Sequence, residues 1–232
     1  MEKQIEFKVN GTSLRGSLFT PKGKGPFPAV ILFHGSGGVG EMYFEAAKEL
    51  SKKGILGFAF NYRGAGVSDG AFEEQTLKMG IEDAKSALTF LISLKEVDKK
   101  RIGICGASFG GFIAALLSVN SNAISLILIG PAAYSLDELN KQRDKAGDLN
   151  EDFVKSESFN QMVKFKGKFL MVTSEFDEVI PAKMINEYLK RAKSASKKES
   201  FILKGVKHRI SINLKARNVL VKKIVDWFAK TL

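Results

Sequence analysis

The sequence predicts a single α/β domain whose mostly parallel, eight-stranded sheet is flanked by helices. Short apolar runs alternate with longer segments of helical periodicity, which is the pattern of parallel strands joined by crossover helices. The length of 232 residues and the 44% of hydrophobic residues suffice for one substantial core. We therefore expect residues 1–232 to form one domain.

The order of the elements follows from the apolar pattern. The predicted strands are residues 4–9, 14–20, 29–33, 57–62, 101–105, 125–129, 168–173 and 199–203. The predicted helices, each with an apolar stripe, are residues 44–53, 76–94, 110–119, 182–192 and 214–230. Between the first two strands, Asn10-Gly11 is a strong hairpin signal, so the sheet is expected to begin with an antiparallel pair.

One connection departs from this regular alternation. Residues 133–166, between the sixth and seventh strands, are charged and longer than a simple loop. They are expected to hold the crossover helix. The rest of this span is interpreted either as a small lid that controls access to a site or as an ordinary surface loop, and both readings stay open.

The charge is distributed unevenly along the chain. Residues 183–232 contain 14 basic and 3 acidic residues and so account for the whole net charge of +11. Such an excess attracts nucleic acids and anionic surfaces. Because many of these residues recur at helical intervals, a solvated face is the favoured interpretation, and no nucleic-acid partner is expected.

The apolar runs also bear on location. The N-terminal residues contain no apolar run of signal-peptide length, and no segment reaches the 18 to 20 apolar residues that span a bilayer. We therefore predict a cytoplasmic protein without a membrane span. The single cysteine, Cys105, lies in a predicted strand and is expected to be a packing residue.

A serine stands where the fifth strand is predicted to end. The segment Gly106-Ala107-Ser108-Phe109-Gly110 fits the G-x-S-x-G pattern, and it lies between an apolar strand and a predicted helix as that pattern requires. Its small residues allow strand and helix to approach closely. The turn is expected to expose the Ser108 hydroxyl for attack on a carbonyl, with the backbone N–H of Phe109 stabilising the oxyanion.

Serine needs a base, and the chain offers only two histidines. His34 begins a glycine-rich loop and is predicted to be structural, while the backbone N–H of Ser36 or Gly37 in that loop is the predicted second oxyanion donor. His208 follows the last predicted strand and is the predicted base. Both loops lie at the carboxyl ends of strands, where sites form on open α/β sheets.

The third catalytic group should be a carboxylate that orients the imidazole. Three acids follow the seventh predicted strand, and Asp177 is the predicted partner of the base. Glu175 and Glu178 remain alternatives.

Together these segments resemble the α/β-hydrolase superfamily, in its group of small serine esterases, dienelactone-hydrolase-like enzymes and acyl peptidases. Residues 34–38 resemble the oxyanion loop of that superfamily, and residues 61–70 resemble its D-x-R-G-x-G-x-S turn. Two positions depart from it, because Asn61 stands where aspartate is common and Arg209 where many relatives carry a hydrophobic residue. Dienelactone hydrolases proper use a cysteine nucleophile, so Ser108 argues against that particular activity.

The expected substrate is a small-molecule ester. Four residues are predicted to line its pocket, namely Gly35, Gly37, Tyr43 and Phe112. No metal site is expected, because two separated histidines and one cysteine supply too few ligands, and the chemistry requires no cofactor.

The resulting functional prediction is a serine carboxylesterase that acts on small to medium acyl groups through an acyl-enzyme. Thioester, short-peptide and acyl-amide hydrolysis are alternatives within the same chemistry. An alternative of a different class is an inactive hydrolase scaffold that binds nucleic acid or anionic surfaces through residues 183–232.

Overall fold

A computed structural model describes residues 1–38, 40–142 and 151–232 of the chain. Within these residues it contains one sheet of eight strands in the spatial order β1-β2-β4-β3-β5-β6-β7-β8. The strands are β1 (Glu2–Val9), β2 (Thr12–Phe19), β3 (Phe27–Phe33), β4 (Leu56–Phe60), β5 (Val97–Ala107), β6 (Ser125–Ile129), β7 (Lys168–Ser174) and β8 (Lys197–Leu203).

The sheet is mostly parallel, as the sequence predicts. β1 pairs with β2 and β2 pairs with β4 in antiparallel fashion, whereas the other five pairings of neighbouring strands are parallel. Asn10 and Gly11 both have positive φ angles, of 49° and 84°, which is the requirement of a tight two-residue hairpin turn. The carboxyl ends of β3 and β5 to β8 consequently share one edge of the sheet.

Helices cover both faces of the sheet. They are α1 (Glu41–Lys52), α2 (Leu77–Ser93), α3 (Phe109–Leu117), α4 (Glu157–Lys164), α5 (Ala182–Arg191) and α6 (Leu214–Thr231). On one face, α1 and α6 bury apolar side chains such as Leu50 and Phe228. On the other face, α2 to α5 form the second core, with buried residues such as Ile113 and Phe159. Among these helices none has the length and apolarity needed to cross a bilayer, residues 39 and 143–150 being left aside.

The connection between β6 and β7 contains the expected crossover helix. α4 packs on α3 and α5, and its buried Ser158 shares a hydrogen bond of 2.8 Å with the Tyr188 hydroxyl. That hydroxyl also donates to the Ala132 carbonyl at 2.7 Å, which ties α5 to the start of the connection. Residues 143–150 of the predicted lid lie outside the described residues, so the lid stays a prediction.

Several predicted boundaries differ from the observed ones for a structural reason. β5 begins four residues earlier than predicted because Val97 pairs with Phe27 across an irregularity in the register. Polar residues 98–101 occupy this extension, so its apolar pattern is broken. α1 begins three residues early, at Glu41, directly after Gly40 with its positive φ of 70°.

Candidate active site

Ser108 lies in the sharp turn between β5 and α3 and has φ 51° and ψ −119°. This is a sparsely populated conformation for a residue with a Cβ atom, and such conformations persist only where the surroundings enforce them. Here the backbone enforces it, because the Ser108 N–H donates to the Ile129 carbonyl at 2.9 Å. The Ser108 carbonyl in turn accepts N–H groups at 2.9 to 3.1 Å from Gly111, Phe112 and Ala132.

The glycines of this turn leave no room for a side chain. A Cβ atom on Gly106 would collide with the carbonyl of Gly110, and one on Gly110 would collide with the carbonyl of Phe33. A Cβ atom on Gly111 would lie 2.8 Å from the Cβ of Pro131. Residues 106–111, called the Ser108 turn below, therefore pack backbone against backbone, which is the reason for their glycines.

His208 lies between Ser108 and Asp177. Its Nε2 atom is 3.1 Å from the Ser108 Oγ, and its Nδ1 atom is 2.9 Å from the Asp177 Oδ2. An ionised carboxylate only accepts hydrogen bonds, so Nδ1 carries the proton and Nε2 is left to accept the hydroxyl of Ser108. The structure thus brings together the three residues that sequence analysis proposed as a catalytic set.

The Asp177 carboxylate is held in its ionised form. Burial by itself would raise its pKa, but hydrogen bonds from His208 and from the backbone N–H groups of Ile180 and Val179 outweigh burial and lower the pKa. The two amides bind Oδ1 at 2.8 and 3.0 Å, which leaves Oδ2 to the imidazole. The Asp177 carboxylate is therefore both ionised and fixed in orientation.

The two alternative acids of the same loop bind elsewhere. Glu178 accepts the backbone N–H of His208 at 3.0 Å. Glu175 accepts the backbone N–H of Gly205 at 2.8 Å and pairs with Lys204 Nζ at the same distance. Both glutamates thus join the loop after β7 to the loop after β8, while Asp177 contacts the imidazole.

His34 has the structural position that the sequence predicts. Its side chain is buried, its Nδ1 atom lies 2.7 Å from the Gly35 carbonyl, and its Nε2 atom accepts the Tyr62 N–H at 3.3 Å. A carbonyl can only accept and an N–H only donate, so His34 is neutral, with its proton on Nδ1. The ring thereby fixes the glycine-rich loop against the end of β4.

That loop borders Ser108 directly. A Cβ atom on Gly35 would lie 3.3 Å from the Ser108 Cβ, so the loop backbone passes beside the hydroxyl. Ser36 and Gly37 are exposed and border the cavity above Ser108. Phe109, whose N–H is the other predicted donor, is the first residue of α3, and its own side chain is buried in the core.

A cavity of about 360 Å³ opens over Ser108 and His208. Three of the four predicted pocket residues line it, namely Gly35, Gly37 and Tyr43. The prediction for Phe112 is corrected, because this side chain is only 2% exposed and packs in the core against Tyr134, with ring centroids 5.1 Å apart. One turn into α3, the Phe112 ring contacts Phe109 and Tyr134 and does not line the cavity.

Part of the cavity wall was not predicted from the sequence. Ile210, Ser211, Ile212 and Arg217 also line the cavity. Residues 210–212 follow His208 directly in the sequence, and that proximity is the signal from which they could have been found. Arg217 belongs to α6, and its place at the cavity depends on how α6 packs against α1. Within the described residues, no group of three or more His, Cys, Asp or Glu side chains has a metal-binding arrangement.

Comparison with known families gives one match over much of the chain. The family model described as serine aminopeptidase, S33, matches residues 24–156. This stretch exceeds half of the chain and includes the glycine-rich loop after β3 and the Ser108 turn. The loops of Asp177 and His208 lie beyond it.

Two curated proteins illustrate the similarity. The chain is 32% identical over 145 residues to the esterase EstD of Thermotoga maritima. It is 29% identical over 126 residues to the quorum-quenching protein AidA of Acinetobacter baumannii. These alignments cover 59% and 53% of this chain, but only 34% and 41% of the two relatives. The chain therefore matches less than half the length of either protein.

A solved structure extends the comparison to the whole fold. The carboxylesterase EstE1, cloned from a metagenomic library, superposes with a TM-score of 0.76 at 20% identity. The superposition covers 100% of this chain and 89% of EstE1. At that identity the likeness concerns the fold alone, and it confirms the predicted architecture.

Proposed function

The chain belongs to the serine aminopeptidase S33 family of α/β hydrolases, and from this premise we propose that it hydrolyses carboxylic esters of small to medium acyl groups. Ser108 is the proposed nucleophile, His208 the base and Asp177 the residue that orients the base. The observation that carries this proposal is the continuous hydrogen-bonded path from Ser108 Oγ through the imidazole to Asp177 Oδ2, with steps of 3.1 and 2.9 Å.

In the proposed first half-reaction, Ser108 Oγ attacks the ester carbonyl and its proton passes to His208 Nε2. The imidazolium that forms is stabilised by the ionised Asp177 on Nδ1. Negative charge moves to the carbonyl oxygen, which the backbone N–H groups of Phe109 and of Ser36 or Gly37 are proposed to bind. Collapse of the tetrahedral intermediate breaks the bond to the alcohol, which leaves with the proton from Nε2.

In the second half-reaction, water takes the place of the alcohol. His208 accepts a proton from this water while the water oxygen attacks the carbonyl of the acyl-Ser108 ester. The second tetrahedral intermediate uses the same oxyanion donors and collapses to the free acid. The proton held on Nε2 returns to Ser108 Oγ, which restores the enzyme.

We propose esters rather than amides as substrates because two of the similar proteins are named as esterases. EstD and EstE1 are both named as esterases, and a cavity of about 360 Å³ lies near the lower end of the range for small-molecule sites. The family description nevertheless names an aminopeptidase, which makes hydrolysis of short peptides the second candidate. Rates on amino-acid p-nitroanilides and on p-nitrophenyl esters would distinguish the two.

The first prediction concerns the nucleophile. A fluorophosphonate probe should label the purified protein at Ser108, and p-nitrophenyl esters from acetate to octanoate should be turned over with an optimum among the shorter acyl chains. The variant Ser108→Ala should lose labelling and about a millionfold in kcat, because the remaining site only binds and polarises the ester. Peptide mapping by mass spectrometry would locate the label.

Ser93→Ala is a matched control, since Ser93 is an exposed serine at the end of α2. It should keep both labelling and turnover. Retained turnover in Ser108→Ala, or a label on another residue, would reject the assignment of the nucleophile. A folded protein that neither reacts nor turns over any ester would instead favour the inactive scaffold that binds anionic surfaces.

A further inference from the structure

The wall of the cavity beside His208 carries an arginine that pairs with no carboxylate of the described residues. Arg209 is exposed and lines the cavity, and its side chain forms no ion pair within the described residues. The other arginine of the cavity, Arg217, is neutralised, because its Nε and Nη2 atoms each lie 2.9 Å from Glu45 Oε2. Within the described residues, Arg217 therefore has a carboxylate partner and Arg209 has none.

The acids around the cavity are engaged with other groups. Asp177 binds the imidazole and two amides, and Glu178 binds the backbone N–H of His208. Glu41 also lines the cavity, but its side chain is 73% exposed and lies toward Arg217, 3.9 Å from its Nη1 atom. None of these carboxylates occupies the position of a partner for Arg209.

The backbone of Arg209 is fixed close to the proposed base. The N–H of His208 is held by Glu178, and the N–H of Ile210 donates to the His208 carbonyl at 2.9 Å. The turn on which Arg209 sits is therefore defined on both sides. A guanidinium presents a fork of N–H donors that matches the two oxygens of a carboxylate.

From these observations, and resting on the proposed ester hydrolysis, we propose that Arg209 binds a carboxylate of the substrate, so that the preferred substrates are esters that carry a second, ionised carboxyl group. Arg209 would then be a specificity residue that touches the substrate away from the scissile bond. The carboxylate belongs to the acyl group or to the leaving group, and the test separates these sources.

The test compares four esters at fixed ionic strength. They are p-nitrophenyl butyrate, the p-nitrophenyl monoester of glutaric acid, p-nitrophenyl 4-aminobutyrate and 5-(butyryloxy)-2-nitrobenzoate, whose leaving group is a p-nitrophenol that carries a carboxylate. We expect kcat/KM for one of the two carboxylate-bearing esters to exceed that of butyrate by about fivefold, the effect of one partly solvated charge pair, and to decline with added salt. The favoured ester identifies the side of the scissile bond on which the carboxylate lies.

Arg209→Gln should lower the ratio of kcat/KM for the favoured anionic ester to kcat/KM for p-nitrophenyl butyrate by about fivefold, which abolishes the preference, and Arg209→Lys should retain part of it. Lys207→Gln is the matched control, because Lys207 is an exposed cation on the other side of His208 that does not line the cavity. It should leave the preference intact. Equal rates for anionic and neutral esters, or a preference that survives in Arg209→Gln, would overturn the proposal.

A separate measurement distinguishes failure of this inference from failure of the proposed function. Turnover of p-nitrophenyl butyrate without any preference for an anionic ester would reject the role of Arg209 and leave ester hydrolysis standing. If no ester is turned over, binding of glutarate to the Ser108→Ala protein can still be measured by calorimetry. Binding that is lost in the double variant with Arg209→Gln would support the anion site, and absence of binding would reject it.

Discussion

The two halves of the candidate site are held in place by different kinds of interaction. The Ser108 turn is fixed by backbone contacts so close that Gly106 and Gly110 have no room for a Cβ atom. The two loops that carry Asp177 and His208 are fixed by carboxylates instead, through Glu175 to Gly205, Glu178 to His208 and Asp177 to its own loop. Close backbone packing determines the conformation of the Ser108 turn, and hydrogen bonds to carboxylates determine the conformation of the two loops.

This difference determines what each half tolerates. In the Ser108 turn an added methyl group meets a backbone carbonyl, which cannot move without displacing β3 or α3. In the paired loops a side chain can change its size, but removal of a carboxylate leaves one or two backbone N–H groups without their acceptor. We therefore expect an added side chain in the first half to prevent folding, and the loss of the Asp177 carboxylate in the second half to reduce turnover.

The largest expected effect is that of Gly110→Ala on folding. Gly110 has an ordinary negative φ, so the substitution introduces no backbone strain of its own, but the new Cβ atom would collide with the carbonyls of Phe33 and His34. We expect a loss of more than about 4 kcal/mol in the free energy of unfolding, or failure to fold. Urea denaturation followed by circular dichroism measures this loss.

Gly54→Ala is the control for Gly110→Ala. Gly54 has a φ of 80°, and a Cβ atom there would meet nothing within 4 Å. Its replacement should cost about 1 kcal/mol, from backbone strain alone. If the two substitutions cost the same, close packing would not be what specifies the Ser108 turn.

The second largest expected effect is that of Asp177→Asn on turnover, which tests the loops held by carboxylates. In Asp177→Asn the side chain has one acceptor oxygen for the two backbone amides, and its NH₂ group then faces His208 Nδ1. This favours the tautomer with the proton on Nε2, which cannot accept the Ser108 proton. We expect kcat to fall by about a thousandfold to ten-thousandfold with little loss of stability, as measured with p-nitrophenyl butyrate.

Glu175→Gln provides the comparison on the same loop. Glu175 is bound to Gly205 and Lys204 at the surface, and a glutamine can still accept the Gly205 N–H. Its kcat should stay within about threefold of wild type, because an exposed ion pair contributes little. A loss as large as that of Asp177→Asn would contradict the choice of Asp177 as the acid.

The same contrast explains what could be predicted from the sequence. The Ser108 turn is encoded within residues 106–111 and its two flanking elements, so a local pattern sufficed to identify it. His208 was identified because only two histidines are present and each follows a strand of a parallel sheet, whose carboxyl ends meet at one edge. Asp177 lay among three acids, and only the side-chain hydrogen bonds distinguish it from Glu175 and Glu178.

The side chains that the sequence misplaced or missed depend on packing between distant segments. Phe112 was expected in the pocket, but α3 turns it toward Tyr134 and the core. Arg217 reaches the cavity because α6 packs beside α1, where Glu45 binds it across 172 positions of the sequence. Neither the direction of a side chain on a buried helix nor a contact over that separation follows from periodicity.

The smallest expected effect is the difference in stability between two variants of Ser108, which measures the backbone strain at that residue. Ser108→Ala and Ser108→Gly both remove the hydroxyl, but only alanine retains a Cβ atom at φ 51° and ψ −119°. That conformation costs a residue with a Cβ about 1–3 kcal/mol, against about 0.5–1 kcal/mol for the extra unfolded-state entropy of glycine. We expect the glycine variant to be more stable than the alanine variant by about 1 kcal/mol in urea denaturation.

The same pair of substitutions at Ser86, in the interior of α2, should rank the other way, because alanine is favoured over glycine inside a helix by about 1 kcal/mol. Opposite rankings at the two positions would show that the conformation of Ser108, and not a general effect of glycine, determines the difference. An alanine variant at position 108 as stable as the glycine variant would mean that the turn accommodates a Cβ without strain. In that case the close packing of the glycines would only position the Ser108 hydroxyl. The backbone hydrogen bonds of Ser108 would not be needed to hold it in an unfavourable conformation.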